Sequence, residues 1–257
     1  MSAIRWFHSI DLGDGQVTEG RKSSDQLRLE LAKLDLPDDL CGRSVLDVGA
    51  WDGYFSFEMA RRGARVVALD YDAWAIDHLA HEAYHDQMRA TGEMPRPARE
   101  VPGVWDPVAL PGRRGFDLAR ARFSSPVRPV FADFMTTDLD ALGTFDLVLF
   151  LGVLYHLQDP FLGLRRLRTV TTDHAIIETA CFVLPAEEPR ALWQFLETTE
   201  LDGDPTNWWV PNLEGLVAMC RAAGFARVTP TWYPLRDAPP SPGHDIHYGR
   251  AVVHAFA

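Results

Sequence analysis

Residues Ser44–Asp72, SVLDVGAWDGYFSFEMARRGARVVALDYD, carry the pattern that decides the fold of this chain. An apolar run contains the acid Asp47, two glycines follow at Gly49 and Gly53, and a helix-like stretch leads to a second apolar run that ends in Asp70. Strand, glycine turn, helix and strand is the order of a βαβ unit. Its glycines let the backbone approach a ligand, and its helix offers unpaired N–H groups. The segment predicts a ligand site at the C-terminal ends of parallel strands.

The same alternation of strands and helices continues along the rest of the chain, which predicts an open α/β sheet with helices on both faces. The predicted fold is a Rossmann-like, seven-stranded, mostly parallel sheet that ends in an antiparallel C-terminal hairpin. The strands are expected at 43–49, 64–70, 127–133, 145–153, 174–180, 226–235 and 249–257, and the helices at 53–63, 73–90, 115–123, 160–170 and 212–225.

Two segments lie outside that alternation. Residues 1–42 precede the first glycine-rich strand and are predicted to form an N-terminal cap, which leaves 43–257 as the ligand-binding domain. Residues 91–114 form an irregular insertion with five prolines and three glycines, either a surface loop or a lid. Trp105 slightly favours the lid. If the cap folds over the strand edge, His8 and Asp11 would reach the substrate; otherwise they are packing and surface residues.

Composition narrows the class of partner. The formal charge of −11, from 25 basic and 36 acidic residues, argues against a nucleic-acid partner and favours a small-molecule substrate. Cys41, Cys181 and Cys220 lack the spacing of a disulfide framework or a zinc site. No signal peptide or membrane span is found in the sequence, so we expect a cytoplasmic protein without a membrane partner. The composition does not determine the oligomeric state, for which a homodimer is the candidate.

The acids beside the glycines indicate the ligand. A dinucleotide fingerprint would read G-x-G-x-x-G, whereas here Asp47 precedes Gly49, and a carboxylate repels a phosphate but attracts a cation. Asp70, which follows 23 residues after Asp47, is well placed to accept both hydroxyls of a ribose. A cationic amino acid joined to a ribose and an adenine describes S-adenosylmethionine, which is therefore the predicted cofactor.

With these residues the chain resembles the class I S-adenosylmethionine-dependent methyltransferases over residues 43–257. The segments ADF (132–134) and FDLVLFLGVLYHLQDP (145–160) and the reversed C-terminal hairpin add to the resemblance. In the family an acid placed like Asp133 binds the adenine amino group. The cofactor-binding residues that the resemblance implies are Asp47, Gly49, Trp51, Gly53, Tyr54, Asp70, Tyr71, Asp133, Phe134 and Leu151.

A narrower resemblance concerns the segments LGVLYH (151–156), IETACF (177–182) and NWWVPNLEGLVAMCRAAGF (207–225). They are similar to the tRNA wobble-uridine carboxymethyltransferase group and its smaller relatives, some of which are O-methyltransferases of sugars and other small molecules. Tyr155 and Arg250 look like residues on the carboxylate side of that group's carboxylated cofactor. The segment before the first core strand is short for that group's RNA-facing domain, and no lysine aligns with the group's carboxylate-binding lysine. Plain methyl transfer is therefore favoured.

The loop after the fourth strand contains the candidate catalytic residues. His156 is the candidate general base, because an imidazole titrates near neutrality, and Tyr155 would line the cofactor or substrate pocket. Alternatively, His156 caps a helix or binds a backbone carbonyl. Glu178 and Asp159 together with His156 form a candidate Mg²⁺ site. Carboxylates are common at such an edge without a metal, so none of these residues is predicted as a metal ligand. The segment PTNWWVP (205–211) is expected to place one tryptophan in the core and one in the substrate pocket.

The predicted function is S-adenosylmethionine-dependent methyl transfer to a hydroxyl of a sugar or secondary metabolite. The first alternative is a tRNA wobble-uridine alkyltransferase, and the second is a non-catalytic cofactor-binding module. LGVLYH stands where amide and nucleobase-amine methyltransferases carry Asn-Pro-Pro-Tyr, which disfavours methylation of an amino nitrogen.

Overall fold

A computed structural model gives the fold of the chain and describes residues 4–183, 190–233 and 246–257. The chain divides into two compact units. The first comprises the chain up to Ala32 together with Leu36–Thr137, and the second comprises Lys33–Asp35 together with the chain from Asp138 onward. The predicted boundary between a cap (1–42) and a ligand-binding domain (43–257) stays a prediction.

Strands and helices alternate along the described residues as the sequence indicates. The strands are β1 Trp6–His8, β2 Gly20–Lys22, β3 Ser44–Val48, β4 Arg65–Asp70, β5 Arg128–Phe131, β6 Phe145–Leu151, β7 Thr171–Val183, β8 Trp193–Phe195, β9 Trp209–Pro211, β10 Arg227–Trp232 and β11 His247–Phe256. The α-helices are α1 Ser24–Lys33, α2 Tyr54–Arg61, α3 Asp72–Ala75, α4 His78–Thr91, α5 Arg114–Arg122, α6 Leu139–Leu142, α7 Pro160–Val170 and α8 Leu213–Ala222.

Seven of these strands form the main sheet, in the order β10-β11-β7-β6-β3-β4-β5. In the first unit, β4 pairs in parallel with both β3 and β5, and residues 45–48 of β3 are all buried. A strand that is apolar and buried on both faces is typical of a parallel sheet covered by helices. The predicted α/β, Rossmann-like, mostly parallel sheet is confirmed.

In the second unit, β6 runs parallel to β7, while β11 pairs antiparallel with β7 and β10 pairs antiparallel with β11. The predicted C-terminal hairpin is thus confirmed, although residues 234–235 of its first predicted strand lie outside the described residues. β7 begins earlier and ends later than predicted. It ends later because β11 pairs with it through Val183, and it begins earlier because Thr171 pairs with Phe145 of β6, which satisfies backbone groups that a shorter strand would leave unpaired.

The predicted helix 73–90 is two helices, α3 and α4, rather than one. Ile76 adopts an extended conformation and forms an isolated bridge with Trp105 of the 91–114 insertion. Asp77 then caps α4, because its carboxylate accepts the N–H groups of Leu79 and Ala80 at 3.1 Å. A cap of this kind satisfies N–H groups that a helix start leaves unpaired, so the second helix begins at His78.

The 91–114 insertion packs against the break between these two helices. The N–H of Asp77 donates to the carbonyl of Val104, and the N–H of Asp106 donates to the carbonyl of Ala75, both at 2.7 Å. Val104 is buried. The insertion is therefore anchored at its centre, and its role as a lid stays a prediction.

Among the described helices, none has the length and apolar character that a membrane crossing requires.

Candidate functional site

In the turn after β3, every second residue from Gly49 to Gly53 has a left-handed backbone conformation. Gly49, Trp51 and Gly53 have φ values of 78°, 48° and 88°. Glycine adopts this region freely, whereas a residue with a Cβ pays about 1–2 kcal/mol for it. Trp51 is held there by both of its backbone groups: its N–H donates to Oδ2 of Asp70 at 2.8 Å, and its carbonyl accepts the indole N–H of Trp74 at 2.5 Å.

Two buried carboxylates flank this turn, Asp47 within β3 and Asp70 at the end of β4. Burial raises the pKa of Asp47 to about 6, against the opposing effect of the Ser56 hydroxyl, which donates to its Oδ2 at 2.5 Å. Burial likewise raises the pKa of Asp70 to about 7, although the N–H groups of Trp51 and Ala73 donate to it. Burial thus disfavours the charged form of each acid, and a neighbouring positive charge or hydroxyl donor would favour it.

The side chain of Trp51 lies in an aromatic stack. The ring of Phe7 stacks on it with 4.3 Å between the ring centroids, and the ring of His78 stacks on it with 5.3 Å between the centroids. Phe7 belongs to β1 in the first unit, so a residue from the predicted cap covers the glycine turn. The ring contacts offset part of the cost of the left-handed backbone at Trp51.

Asp52 joins β1 to the turn. Its Oδ2 accepts the backbone N–H groups of Phe7 and His8, each at 2.8 Å, and its Oδ1 pairs with Nδ1 of His8. Both Asp52 and the His8 side chain are buried, and the His8 ring also stacks on Tyr54 at 5.6 Å. The prediction that His8 reaches substrate gains no support here, because its Nδ1 atom is engaged by Asp52. The Asp11 carboxylate accepts the N–H of Gly13 within its own turn and is exposed.

The remaining predicted cofactor residues of the first unit lie near the end of β5. Tyr71 packs against Phe131 at 5.0 Å and against Trp105 of the insertion at 5.6 Å. The Asp133 carboxylate accepts the N–H of Met135 at 2.8 Å, and Phe134 is buried. Their part in binding the cofactor stays a prediction, as does the contact of Asp133 with the adenine.

In the second unit, the loop after β6 begins at Leu151, which is half-buried, and turns at Gly152 with φ 72°. A Cβ at Gly152 would lie 3.3 Å from the Tyr155 hydroxyl, so glycine leaves room for that side chain. The guanidinium of Arg250 lies 4.8 Å from the centre of the Tyr155 ring, and its Nη2 donates to the Tyr155 hydroxyl at 3.4 Å. Burial raises the pKa of Tyr155 and keeps its hydroxyl protonated.

Glu178 and Arg250 form a two-bond ion pair, with Nε to Oε1 at 2.5 Å and Nη2 to Oε2 at 2.7 Å. Although burial lowers the pKa of Arg250, the Glu178 carboxylate outweighs that effect and raises it. Asp159 is likewise engaged, because its carboxylate accepts the N–H of Leu162 at the start of α7. Within the residues the structure describes, no group of three or more His, Cys, Asp or Glu side chains could hold a metal ion. The candidate Mg²⁺ site at Glu178, His156 and Asp159 was therefore wrong: its two carboxylates are engaged elsewhere.

His156 is exposed, and its Nδ1 atom contacts Thr206. Its Nδ1 lies 3.0 Å from the hydroxyl oxygen of Thr206 and 3.1 Å from the carbonyl oxygen of the same residue. The Thr206 hydroxyl donates to Oδ1 of Asp204 at 2.7 Å, and the Thr206 N–H donates to the same oxygen at 2.8 Å. The contact with a backbone carbonyl that the sequence left as an alternative is present. It engages Nδ1, and the catalytic role stays a prediction.

The segment 205–211 lies against the loop after β6. The N–H of Trp208 donates to the carbonyl of Tyr155 at 2.8 Å, and the indole N–H of Trp209 donates to the carbonyl of Gln158 at 3.1 Å. Both tryptophans are half-buried. The expectation that one of them lies in the core was wrong, because neither side chain is fully buried. Each tryptophan instead donates a hydrogen bond that holds this segment to the loop.

Sequence reasoning missed several residues that organise these sites. Asp52 stands between the glycines without a motif of its own, and the pairing of Glu178 with Arg250 joins residues 72 positions apart. The sequence DPT at Asp204–Thr206 does carry a local signal, because an Asp side chain often accepts the backbone N–H two residues later and so forms a turn.

The comparisons with known proteins concern the family and the fold of the chain. The model of a methyltransferase-domain family matches residues 20–229. The chain is 26% identical over 192 residues (75% of its length) to the tRNA U34 carboxymethyltransferase of Idiomarina loihiensis, and 38% identical over 87 residues (32%) to the magnesium-protoporphyrin O-methyltransferase of Rhodobacter capsulatus. It spans 48% and 37% of the lengths of these two relatives. The N-terminal domain of EvdMO1, solved in the presence of SAH and D-fucose, has a similar fold: TM-score 0.57, 16% identity, covering 98% of this chain and 91% of that one.

Proposed function

The chain belongs to the methyltransferase-domain family, and from that premise we propose that it transfers the methyl group of S-adenosylmethionine to a hydroxyl of a small molecule, a sugar or a secondary metabolite. The observation that carries the proposal is the pair of buried acids, Asp47 and Asp70, around a glycine turn. Their positions suit a ligand that is cationic at one end and carries a ribose diol.

The cofactor half of the proposal follows from the state of these carboxylates. Burial raises the pKa of Asp47 to about 6 and that of Asp70 to about 7, so both are held without the water that stabilises an ionised acid. An ammonium near Asp47 and two hydroxyl donors at Asp70 would replace that water. A dinucleotide phosphate at the glycine turn would instead meet the Asp47 carboxylate, which argues against that class of ligand.

The acceptor half concerns the proton that a hydroxyl loses on methylation. Transfer from a sulfonium is an in-line displacement, so the protein must position the hydroxyl oxygen and receive its proton. His156 is our candidate for that base. Its imidazole is exposed in the loop after β6, which favours access by an acceptor from solvent. The formal charge of −11 favours a small acceptor over a nucleic acid, and one relative that matches a third of the chain is an O-methyltransferase.

The second candidate function is alkyl transfer to the wobble uridine of tRNA. The similarity to a tRNA U34 carboxymethyltransferase over 192 residues favours it, as does the contact between Tyr155 and Arg250. The ion pair of Arg250 with Glu178 weighs against a carboxylated cofactor, because a guanidinium already balanced by a carboxylate gains less from a second one.

One incubation series separates the candidates. The purified chain is given methyl-labelled S-adenosylmethionine with hydroxylated sugars and phenolic metabolites in one arm and bulk tRNA in another. We expect label in a small molecule and none in tRNA. Label in a wobble uridine would overturn the choice of substrate.

The controls are two carboxyl-to-amide variants. Asp70→Asn should lose transfer, whereas Asp86→Asn, at an exposed carboxylate of α4, should keep it. Tight cofactor binding by calorimetry with no transfer to any acceptor would favour the non-catalytic module.

A further inference from the structure

We infer that Thr206 and Asp204 are positioning residues that hold the neutral His156 ring in a single tautomer, with its proton on Nδ1 and its lone pair on Nε2. The consequence for catalysis rests on the proposed function, in which His156 receives the proton of the acceptor hydroxyl. The tautomer itself is inferred from the two contacts that Nδ1 makes with Thr206.

The direction of each hydrogen bond is set by what its atoms can do. The backbone carbonyl of Thr206, 3.1 Å from Nδ1, can only accept. The hydroxyl of Thr206, 3.0 Å from Nδ1, could either donate or accept. Its proton is directed to Oδ1 of Asp204 at 2.7 Å, so the hydroxyl oxygen presents a lone pair to the ring. Both neighbours of Nδ1 therefore require a proton on that nitrogen.

Thr206 is itself held in place from both sides. Its N–H donates to the same carboxylate oxygen of Asp204 that receives its hydroxyl. The next residue, Asn207, is buried and its side-chain amide donates to the carbonyl of Leu201 at 2.8 Å. The backbone N–H of Trp208 then binds the carbonyl of Tyr155 at 2.8 Å. The two acceptors that face Nδ1 consequently belong to a segment with little freedom to turn away.

This arrangement suits a base that must act through Nε2. As the acceptor oxygen forms its bond to the methyl carbon, the bond from that carbon to sulfur breaks and its electron pair stays on sulfur. The hydroxyl proton passes to Nε2 of His156, which becomes an imidazolium with N–H groups on both nitrogens. The Nδ1–H keeps its two acceptors, and the carboxylate of Asp204 lies behind the hydroxyl and favours the positive ring. Release of that proton to water restores the neutral base.

Nitrogen NMR of the full chain with ¹⁵N-labelled histidine tests the inference without a substrate. The chain has nine histidines, and the signals missing from His156→Ala identify this one. We expect the neutral ring to be protonated on Nδ1. Thr206→Val keeps the carbonyl and removes the hydroxyl. It should therefore lower the ratio of the Nδ1–H to the Nε2–H tautomer by about 2- to 12-fold, the effect of one hydrogen bond. Thr206→Ser restores the hydroxyl and should restore the ratio. A ring protonated on Nε2 in the unaltered chain, or a ratio that Thr206→Val leaves unchanged, would overturn the inference.

Kinetics on the identified acceptor test the link to catalysis. Thr206→Val should lower kcat about tenfold with the KM for S-adenosylmethionine unchanged, and Thr206→Ser should recover both kcat and the tautomer. A merely structural role would instead alter both kinetic constants and would leave no recovery that follows the tautomer. If His156→Ala transfers methyl groups at the normal rate while the ring shows the expected tautomer, the general-base role fails and the positioning by Thr206 and Asp204 stands.

Discussion

The backbone N–H of Trp51 donates to the Oδ2 atom of Asp70 across 2.8 Å, which ties the glycine turn after β3 to the acid that ends β4. The other oxygen of Asp70 accepts the N–H of Ala73 at 3.1 Å, in the helix that follows β4. One buried carboxylate thus organises both segments. A ligand that adds hydroxyl donors to this carboxylate binds a group whose position is already set, which reduces the cost of ordering the site.

Loss of the Asp70 charge should weaken binding of S-adenosylmethionine. We expect Asp70→Asn to lower the affinity by about 2–3 kcal/mol, or about 30- to 150-fold, because hydrogen bonds to a charged acceptor are lost. Calorimetric titration measures this, with Asp86→Asn as the matched surface variant that should bind normally. Equal affinities of Asp70→Asn and the unaltered chain would show that Asp70 does not bind the cofactor.

The same acid should make the stability of the ligand-free protein depend on pH. Asp70 has a pKa of about 7 in the folded chain, above its ordinary value of 3.8, so between these pH values the folded state binds more protons than the unfolded state. Its contribution therefore falls as pH rises from about 4 to 7, by up to about 1.4 kcal/mol per pH unit. Urea unfolding at several pH values should show that, as pH rises over this range, the free energy of unfolding of Asp70→Asn increases relative to that of the unaltered chain. Parallel curves for the two proteins would contradict the assignment.

The left-handed backbone at Trp51 should be measurable as a difference between two variants. Trp51→Gly and Trp51→Ala both remove the ring that lies between Phe7 and His78. Only alanine keeps the strain at φ 48°, so Trp51→Gly should be more stable by about 1 kcal/mol. Chemical denaturation of both variants provides the comparison. A Trp51→Ala protein as stable as Trp51→Gly would mean that the turn relaxes once the ring is gone.

Asp52 should control how firmly β1 is held to the turn. In Asp52→Asn a neutral amide replaces the carboxylate, so the N–H groups of Phe7 and His8 lose their hydrogen bonds to a charged acceptor. Amide hydrogen exchange at Phe7 and His8 should accelerate about 10- to 100-fold, as expected for a lost hydrogen bond to a charged group. The comparison variant is Asp14→Asn, which removes the charge of an exposed ion pair with Arg122. Unchanged exchange in Asp52→Asn would show that β1 is held by its other contacts.

His156 should affect turnover and leave cofactor binding intact. His156→Ala is expected to lower kcat by about 100-fold or more, the usual contribution of a general base, with the affinity for S-adenosylmethionine nearly unchanged. Turnover on the identified acceptor and calorimetry on the same preparation provide the two measurements. A fall in cofactor affinity that matched the fall in turnover would assign His156 to binding.

Much of the fold could be predicted because its signals are local. Gly49 and Gly53 indicate a turn through a backbone conformation that other residues avoid, and the buried runs that end in Val48 and Asp70 indicate strands of a parallel sheet. The one helix predicted over 73–90 failed for a non-local reason. Nothing in its own spacing shows that Ile76 would pair with Trp105 of the insertion.

The sequence by itself determined the α/β sheet, the glycine turn and the two acids beside it, since strand and helix periods and the freedom of glycine act over a few residues. The tertiary structure alone decided which partners those residues have. Asp52 binds His8 across 44 positions, Glu178 binds Arg250 across 72, and Thr206 orients His156 across 50. Hydrogen bonds such as these depend on distances and directions that exist only once the strands and loops have packed, so no local pattern of residues records them.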